Sequence, residues 1–267
     1  MNNSFNAYFI QCITNMHVGS GDANYGVVDK LVQRDPVTGF PTIHSSSLKG
    51  ALREHYEAIW EKDPNKINQV FGKESINNSD SETGEYKFLG ADLVSLPVRC
   101  NFQQYVLGIN KTQIDYLNVK AKLLTNKELF NGVDEANRLL YIANEPAGYN
   151  LYAEDIQITT KSAYAALLKG KSDLICFDNK YACFDSESFK SIAKDLPVIA
   201  RNSIEDGTSQ NLWYEEIVPH ESIFVTFIST SGSLLTEFET VLKTGIIQIG
   251  GNATIGYGLC KFFKITL

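Results

Sequence analysis

The chain has 267 residues, of which 43% are hydrophobic and 21% are charged, so it can bury a stable core and is not a disordered protein. Its 24 Lys and Arg residues are outnumbered by 31 Asp and Glu residues, and the net charge of −7 excludes a surface that is basic overall, although one basic groove between acidic flanks remains compatible with it. The apolar runs are too short to span a membrane and the amino-terminal residues are polar, so we predict a cytoplasmic protein that has no membrane partner.

The first quarter of the chain predicts a strand, a long loop and a helix. Tyr8–Thr14 alternates apolar and polar residues, as a half-buried strand does. Asn15–Pro41 follows as a glycine-rich loop, and a loop of this length inside a compact domain is usually functional. Leu48–Trp60 has apolar residues at helical spacing, and the serines Ser45–Ser47 offer hydroxyl groups that predict an N-cap.

The remaining elements predict a mixed fold. Asp63–Glu85 is polar and predicts a surface loop, and Asp195–Val218 contains a second polar stretch. Further strands are predicted at Tyr86–Val98, Asn101–Asn110, Leu174–Phe177, Tyr181–Phe184 and Ser222–Ser229, and further helices at Lys127–Tyr141, Thr160–Leu168 and Leu234–Lys243. Ile246–Leu267 predicts two strands separated by a glycine-rich turn. Because strand–helix–strand order occurs at both ends and no repeat or linker divides the chain, we predict a single α+β domain.

The glycines of the carboxy-terminal turn are Gly250, Gly251, Gly256 and Gly258. Glycine lets backbone N–H groups approach an anion closely, so this turn resembles a phosphate-binding loop. No Gly-Lys-Ser/Thr sequence follows, and the next element reads as a strand rather than a helix, which excludes a P-loop and a dinucleotide fingerprint. On spacing alone, a hairpin turn is the favoured interpretation.

The polar residues near the amino terminus leave two interpretations open. His17 and Asp29 lie in the glycine-rich loop, where such residues more often support turns than catalyse reactions. No pair of histidines is spaced i, i+4 and the five cysteines form no C-x-x-C pair, so neither a preformed zinc site nor a disulfide framework is predicted. Lys49 and Arg53 share one helix face beside the serine hydroxyls, which fits either a phosphate site or a solvated surface.

A family resemblance emerges when these segments are considered together. The amino-terminal motifs are HVGSG, GVVD, QRDPVTGFPTI and SSLKGALRE, which begin at His17, Gly26, Gln33 and Ser46, and the carboxy-terminal motif is IQIGGNATIGYG at Ile247–Gly258. Together they are similar to the terminal signatures of the RAMP superfamily of CRISPR proteins. The interior motifs FLGAD, LPVRC and ARNSIEDGTSQNLWYEEIVP resemble one branch, the backbone subunits of type III-B (Cmr) effector complexes. A departure is Asn252-Ala253-Thr254, where the family often has a sequence like Gly-Asp-Glu-Thr.

This resemblance implies a fold and a set of partners. The family fold is a ferredoxin-like, RRM-type palm with finger-like insertions and a thumb β-hairpin. On this chain the palm would comprise approximately residues 5–60 and 220–267, the insertion 61–199 and the thumb 200–219. The implied partners are the CRISPR guide RNA, target RNA, other subunits of the Cmr complex, and copies of the chain itself in a head-to-tail filament.

The resemblance also implies roles for individual residues. Asp29 aligns with the family's cleavage aspartate and would either hold a divalent metal ion, Mg²⁺ or Mn²⁺, that binds only together with RNA, or orient the RNA 2′-hydroxyl; His17 is a secondary catalytic candidate. The residues expected to contact RNA are Ser46, Ser47, Lys49 and Arg53 on the helix, Arg201, Ile204 and Trp213 in the thumb, and Gly250, Gly251 and Asn252 in the glycine-rich turn. Attack of the RNA 2′-hydroxyl on the adjacent phosphorus would leave a 2′,3′-cyclic phosphate and a 5′-hydroxyl.

Three alternatives remain open at this point. One is a non-catalytic backbone subunit, which differs from the first interpretation at Asp29. Another is the backbone subunit of a type III-A (Csm) complex, which shares both terminal signatures. The third is a stand-alone guide-processing endoribonuclease of the same superfamily, for which His44 and His55 are the candidate catalytic histidines.

Overall fold

The structure is a computed structural model. It describes residues 4–21, 26–73, 81–131, 133, 139–142, 150–161, 167, 180–230 and 232–266. Over those ranges, none of the helices has both the length and the apolar character needed to cross a membrane.

Strands and helices alternate along the described chain. The strands are β1 Ser4–Cys12, β2 Thr42–Ile43, β3 Lys87–Phe88, β4 Ala91–Arg99, β5 Tyr105–Asn110, β6 Leu139–Ile142, β7 Leu151–Ala153, β8 Ile156–Lys161, β9 Lys180–Phe184, β10 Val198–Glu205, β11 Thr208–Glu216, β12 Ile223–Thr230, β13 Ile246–Gln248 and β14 Leu259–Lys264. The helices are α1 Ser45–Ile59, α2 Pro64–Phe71, α3 Lys111–Thr125, α4 Ser186–Lys194 and α5 Leu235–Thr244.

Within the described ranges, twelve strands form one large sheet in the order β13-β14-β1-β12-β4-β5-β9-β6-β8-β7, with β2 pairing to β4 and β3 pairing to β12. The sheet is mixed, because β5 pairs with β9 and β6 with β8 in parallel, whereas the other pairs are antiparallel. Strands β10 and β11 form a separate two-stranded hairpin. The predicted α+β class is therefore confirmed. Strand β4 comes from the region predicted as an insertion, yet it pairs directly with β12 near the middle of the sheet.

Both faces of this sheet are covered, because successive side chains of a strand point to opposite sides. Tyr8 and Ile10 of β1 belong to a core cluster that includes apolar residues of α1, α2 and α5. Ala7 and Phe9 belong to a second cluster with the apolar face of α3. On the first face, the Tyr56 hydroxyl donates a hydrogen bond of 2.6 Å to the carbonyl oxygen of Phe238, which ties α1 to α5.

The start of α1 differs from the prediction. The helix begins at Ser45 and its N-cap residue is His44, which makes no side-chain capping bond, so the serines are first-turn residues rather than caps. The loop residue Gln33 organises this end instead: its Oε1 accepts from the backbone N–H of His44 at 2.8 Å, and its Nε2 donates to Ser47 Oγ at 2.9 Å.

Three of the helices, α2, α3 and α4, were not predicted. The region assigned to a surface loop contains α2, whose N-cap Asp63 accepts from the backbone N–H of Asn65 and which has Pro64 in its first turn. Helix α3 follows β5 without a turn signal, because Asn110 ends the strand and also caps the helix through the N–H of Gln113.

The predicted middle helices are wrong where the structure describes them. Helix α3 ends at Thr125, and Leu139–Ile142 is a strand, so there is no continuous helix over Lys127–Tyr141. Thr160 and Lys161 end β8, where a helix was predicted to start, and the rest of that predicted helix lies largely outside the described residues. The predicted strand at Leu174–Phe177 also lies outside them.

The polar stretch before β12 forms the β10–β11 hairpin. Its turn has positive φ at Asp206 (50°) and Gly207 (75°), which is the backbone geometry of a tight hairpin. The side chains from Asn202 to Leu212 are exposed, including the apolar Ile204 and Leu212. The hairpin therefore projects from the body with apolar side chains facing solvent.

Candidate functional site

The loop that carries Asp29 is attached to the base of the hairpin. The backbone N–H groups of Asp29 and Lys30 both point at the carbonyl oxygen of Tyr214, at 3.0 and 3.1 Å. In return, the N–H of Tyr214 donates to the Asp29 carboxylate at 2.7 Å, and the N–H of Glu216 donates to the carbonyl of Lys30 at 2.9 Å. Lys30 thus forms a single parallel β-bridge with Glu215 of β11, and the exposed Asp29 side chain is held beside it at the edge of the hairpin.

His17, in the amino-terminal loop, contacts the next two residues of β11, Glu215 and Glu216, and is almost fully buried, with 6% of its surface exposed. Its Nδ1 is 2.7 Å from the carbonyl oxygen of Glu216 and must carry the proton, because a carbonyl only accepts. Its Nε2 faces Glu215 Oε1 at 3.6 Å. Both ring nitrogens are therefore directed at β11, so the ring anchors the loop in this conformation and does not present an acid or base to solvent.

Glu215 gathers several of the predicted residues around one carboxylate. Its Oε2 accepts from Arg201 Nε at 2.7 Å and from Asn252 Nδ2 at 2.9 Å, and its Oε1 lies 3.9 Å from Lys30 Nζ as well as facing His17. His17, Arg201 and Asn252 are separate candidates in the sequence, whereas Glu215 is not among the predicted site residues. The adjacent acidic pair Glu215-Glu216 is the signal that could have indicated it: neighbouring side chains of a strand point to opposite sides, so one of the two carboxylates must face the protein.

The predicted thumb residues differ in exposure. The Arg201 side chain is only 16% exposed, pairs with Glu215 and stacks over the Tyr257 ring at 4.5 Å, so it is engaged within the protein. Trp213 is half-buried, and Lys30 Nζ lies 5.3 Å from its ring centre. Ile204 is exposed and is free to contact a partner. The apolar surface that the hairpin offers therefore comes mainly from Ile204 and its exposed neighbour Leu212.

A second part of the site is a groove of about 300 Å³ between the glycine-rich loop, the first turns of α1 and the carboxy-terminal turn. Val18, Gly19, Gln33, Ser47, Ala51, Glu54, Gln248 and Gly250 line it. Two predicted RNA contacts, Ser47 and Gly250, are thus brought together, although they are distant in sequence. Ser46 and Lys49 are exposed on the same end of α1.

Arg53 is not part of an exposed cationic pair with Lys49. Its Nε donates to Glu57 Oε1 at 2.8 Å, and its Nη1 donates to the carbonyl oxygen of Gly72 at 3.1 Å. The guanidinium therefore connects α1 to the end of α2. The prediction of a shared solvated face holds for Lys49 but is wrong for Arg53.

The carboxy-terminal turn is fitted tightly against the amino-terminal loop. The N–H of Gly251 donates to the carbonyl oxygen of His17 at 2.9 Å. Gly250 has a φ of 87°, and a Cβ on this residue would lie only 2.3 Å from the same oxygen, so the position requires glycine. Asn252 adopts a left-handed conformation, which turns its amide toward Glu215. The turn is therefore part of the framework around Glu215 and also one wall of the groove.

The donor set near Asp29 is small. In the part of the chain that the structure describes, no three His, Cys, Asp or Glu side chains are grouped in a way that would hold a metal ion. Asp29 offers one carboxylate, of which one oxygen already accepts from Tyr214. Among the described residues, the single carboxylate of Asp29 therefore supplies too few ligands for a tight Mg²⁺ or Mn²⁺ site.

The two histidines of the endoribonuclease alternative are not equivalent. His44 is exposed at the start of α1. His55 is half-buried, and its Nε2 packs so closely on Gly245 that a Cβ on the glycine would lie 2.6 Å from this nitrogen. Burial lowers the pKa of His55 below the ordinary histidine value. His55 Nε2 is thus buried against Gly245 and does not face solvent.

Comparison with known proteins identifies the family. The model of the RAMP superfamily matches residues 9–261, so this chain belongs to the RAMP superfamily. It is 27% identical over 278 residues to the CRISPR system Cmr endoribonuclease Cmr4 of Pyrococcus furiosus, covering 96% of this chain and 92% of that protein. It is 26% identical over 302 residues to the CRISPR system CMR subunit Cmr4 of Saccharolobus solfataricus, covering 95% and 94%.

Solved structures share the fold. A chain from the apo cryo-EM structure of type III-B Cmr-beta superposes with a TM-score of 0.76 at 19% identity, over 98% of this chain and 97% of that one. The crystal structure of oligomeric Cmr4 from Pyrococcus furiosus gives a TM-score of 0.74 at 20% identity, over 99% and 100%. The resemblance to type III-B backbone subunits that the motifs indicated is therefore confirmed.

Proposed function

We propose that this chain is a guide-RNA-binding backbone subunit of a type III-B CRISPR effector complex and that, in the assembled complex, it cleaves target RNA endonucleolytically. The relative from Pyrococcus furiosus is named as an endoribonuclease, and a Cmr-beta structure with cognate target RNA superposes on this chain with a TM-score of 0.74. The sequence motifs and the matched family, which cover both ends of the chain, support the same assignment.

The proposal extends to the parts of the fold. Strands β14, β1, β12 and β4 are adjacent and antiparallel, with α1 and α5 in the chain between them, and this order supports a ferredoxin-like palm. The exposed β10–β11 hairpin supports the thumb. The palm thereby includes β4, which extends it beyond residues 5–60 and 220–267.

The guide RNA binds, in this proposal, along the groove beside the start of α1. Ser47 and Gly250 line the groove, Ser46 and Lys49 are exposed next to it, and a backbone-contacting groove needs no base recognition because guide sequence is read by pairing. One narrow site of this kind is compatible with the net charge of −7.

The observation that carries the cleavage proposal is the hydrogen bond between Tyr214 N–H and the Asp29 carboxylate. This bond holds the exposed Asp29 carboxylate at the foot of the hairpin. The exposed apolar residues farther along the hairpin are suited to displacing a nucleobase. A displaced nucleotide leaves the stacked geometry, so its 2′-hydroxyl can align with the adjacent phosphorus. The free oxygen of Asp29 would then orient that hydroxyl, and the products would be a 2′,3′-cyclic phosphate and a 5′-hydroxyl.

A divalent metal ion, Mg²⁺ or Mn²⁺, belongs to this proposal as a cofactor that binds only with RNA. Asp29 would hold the ion together with RNA phosphate oxygens, and the ion would offset charge on the reacting phosphate. Because one carboxylate is a weak site, metal affinity of the RNA-free subunit should be low.

The proposed partners follow from the same assignment: guide RNA, target RNA, other Cmr subunits and further copies of this chain. Contact between copies is head-to-tail, and such an interface gives an open filament that other subunits must cap. The oligomeric crystal form of the Cmr4 relative supports self-association. We place the complex in the cytoplasm, where its RNA partners are made.

The experiment is cleavage of labelled target RNA by the complex reconstituted with Asp29→Ala. The matched control is Asp155→Ala, an exposed carboxylate in the turn between β7 and β8. We expect guide and target binding in both complexes, cleavage in the control, and none with Asp29→Ala. Cleavage by both would move the chemistry away from Asp29. A wild-type complex that binds but never cuts would favour the non-catalytic subunit, and co-purification with Csm subunits would favour type III-A.

A further inference from the structure

Glu215 is a buried carboxylate that the cleavage proposal does not use. Its side chain is 1% exposed and contacts four segments of the chain. They are the amino-terminal loop through His17 (3.6 Å), the Asp29 loop through Lys30 (3.9 Å), strand β10 through Arg201 (2.7 Å) and the carboxy-terminal turn through Asn252 (2.9 Å). One carboxylate therefore joins the hairpin to the three loops that surround the site.

The hairpin needs such a connection. Strands β10 and β11 pair with each other and not with the large sheet, and a two-stranded hairpin on its own has little stability. Its position relative to the Asp29 loop is set at the base, where the backbone bonds of Tyr214 and Glu216 and the side chain of Glu215 act together. A buried ion pair is well suited to fixing one arrangement, because alternatives leave a charge without its partner.

We propose that Glu215 is a positioning residue for target cleavage: it fixes the hairpin against the Asp29 loop, and thereby the displaced nucleotide against the Asp29 carboxylate. The inference rests on the proposed function. Glu215 does not touch RNA in this proposal. It acts through Arg201, Lys30 and Asn252, so its loss should misplace the reacting groups without removing any of them.

The neighbouring Glu216 offers a matched control. It is also a buried glutamate of β11 paired to an arginine, with Arg34 Nη2 at 2.5 Å, and it accepts from the backbone N–H of Val32 at 3.0 Å. As the adjacent residue in the strand, it points to the opposite side, away from the contacts of Glu215. A substitution there disturbs a buried ion pair of the same kind but leaves the link between hairpin, Lys30 and carboxy-terminal turn intact.

The test uses complexes reconstituted with Glu215→Gln or Glu216→Gln. Glutamine keeps the shape but removes the charge, and the amide N–H₂ that replaces one carboxylate oxygen faces donors in either orientation, Lys30 on one side or Arg201 and Asn252 on the other. At saturating target, we expect the maximal cleavage rate to fall by about tenfold or more for Glu215→Gln. Guide retention and the target concentration for half-maximal rate should stay within about twofold of wild type. Glu216→Gln should cut well above the rate of Glu215→Gln, because its side-chain oxygen can still accept from the N–H of Val32 and all contacts of Glu215 remain in place.

A paired substitution separates positioning from folding. Glu215→Gln leaves Arg201 without its counter-charge, so Arg201→Met in the same chain should restore thermal stability toward wild type. Cleavage should nevertheless remain slow, because the connection to the Asp29 loop is still missing. If cleavage returns together with stability, Glu215 has a purely structural role and the inference fails.

Failure of this inference is distinguishable from failure of the proposed function. A wild-type complex that does not cut target RNA contradicts the proposed function. A wild-type complex that cuts, with Glu215→Gln cutting at the same rate, overturns the positioning role alone.

Discussion

The carboxylate of Asp29 accepts a hydrogen bond of 2.7 Å from the backbone N–H of Tyr214, although the two residues are 185 positions apart in the sequence. Together with the reciprocal bonds from the N–H groups of Asp29 and Lys30, it attaches the Asp29 loop to the edge of the hairpin. The exposed acid and the apolar hairpin tip are consequently parts of one structural unit. Any movement of the hairpin moves the carboxylate as well.

The first prediction compares Asp29→Asn with Asp29→Ala. Asparagine keeps an oxygen that can accept from Tyr214, so the loop should stay attached, whereas alanine should weaken the attachment at a cost of about 1 kcal/mol of unfolding free energy. Hydrogen exchange of the Tyr214 amide should be slow in wild type and Asp29→Asn and faster in Asp29→Ala. Both variants should lose cleavage. Equal exchange in all three would mean that the side chain does not hold the loop.

The second prediction separates Lys49 from Arg53. Lys49→Glu should weaken guide-RNA binding and reduce the logarithmic salt slope by about 0.7, the value for one lost phosphate contact on a single strand. Arg53→Met should leave that slope unchanged and lower the melting temperature, because Arg53 pairs with Glu57 and the carbonyl of Gly72. Filter binding of guide RNA at several salt concentrations measures the salt slope of each variant, and thermal unfolding measures its melting temperature. A lower slope for Arg53→Met would show that its guanidinium reaches RNA.

The third prediction concerns the hairpin tip. Deleting Glu205–Gln210 removes exposed residues around the Asp206-Gly207 turn and leaves the base, with its Asp29 attachment, in place. The deletion joins Ile204 directly to Asn211, so Ile204 becomes part of the shortened turn and the hairpin no longer reaches the stacked nucleobases. Target binding should persist, since the cost of unstacking a nucleobase is avoided, and cleavage should fall sharply because the RNA backbone stays in helical geometry. The measurement is the cleavage rate at saturating target with verified complex composition. Unchanged, correctly spaced cuts would show that the hairpin does not displace a base.

The fourth prediction tests the carboxy-terminal turn with two glycines. A Cβ at Gly258 would lie 2.1 Å from the carbonyl oxygen of Ile249, whereas a Cβ at Gly256 meets nothing within 4 Å. Both residues have positive φ, 73° and 80°, so the backbone strain of an alanine is similar and only the clash differs. Gly256→Ala should cost about 1 kcal/mol, and Gly258→Ala about 3 kcal/mol or more. Similar costs in denaturant unfolding would contradict this packing.

Much of the fold was predictable from local sequence. Strands β1 and β12, helices α1 and α5 and the carboxy-terminal turn follow from periodicity and glycine placement, and the combined motifs identified the superfamily. The exceptions have local causes. Helix α3 directly follows β5 because Asn110 serves both elements, so no turn residue marked its start. Helix α2 was missed because it lies in a largely polar segment. Its buried apolar face consists of Ile67, Val70 and Phe71.

The sequence by itself singled out the residues of the proposed functional region, since Asp29, Ser47, Gly250 and the hairpin all lie in motifs that resemble those of the RAMP superfamily. Only the tertiary structure decided what each of them does there. Arg53 and Arg201 are both predicted RNA contacts, yet protein acceptors bind both guanidinium groups, and Glu215 lies within a quoted motif that assigns it no role. The physical reason is that a charged side chain takes its role from partners supplied by distant segments, and those partners meet only when the sheet and its loops have folded.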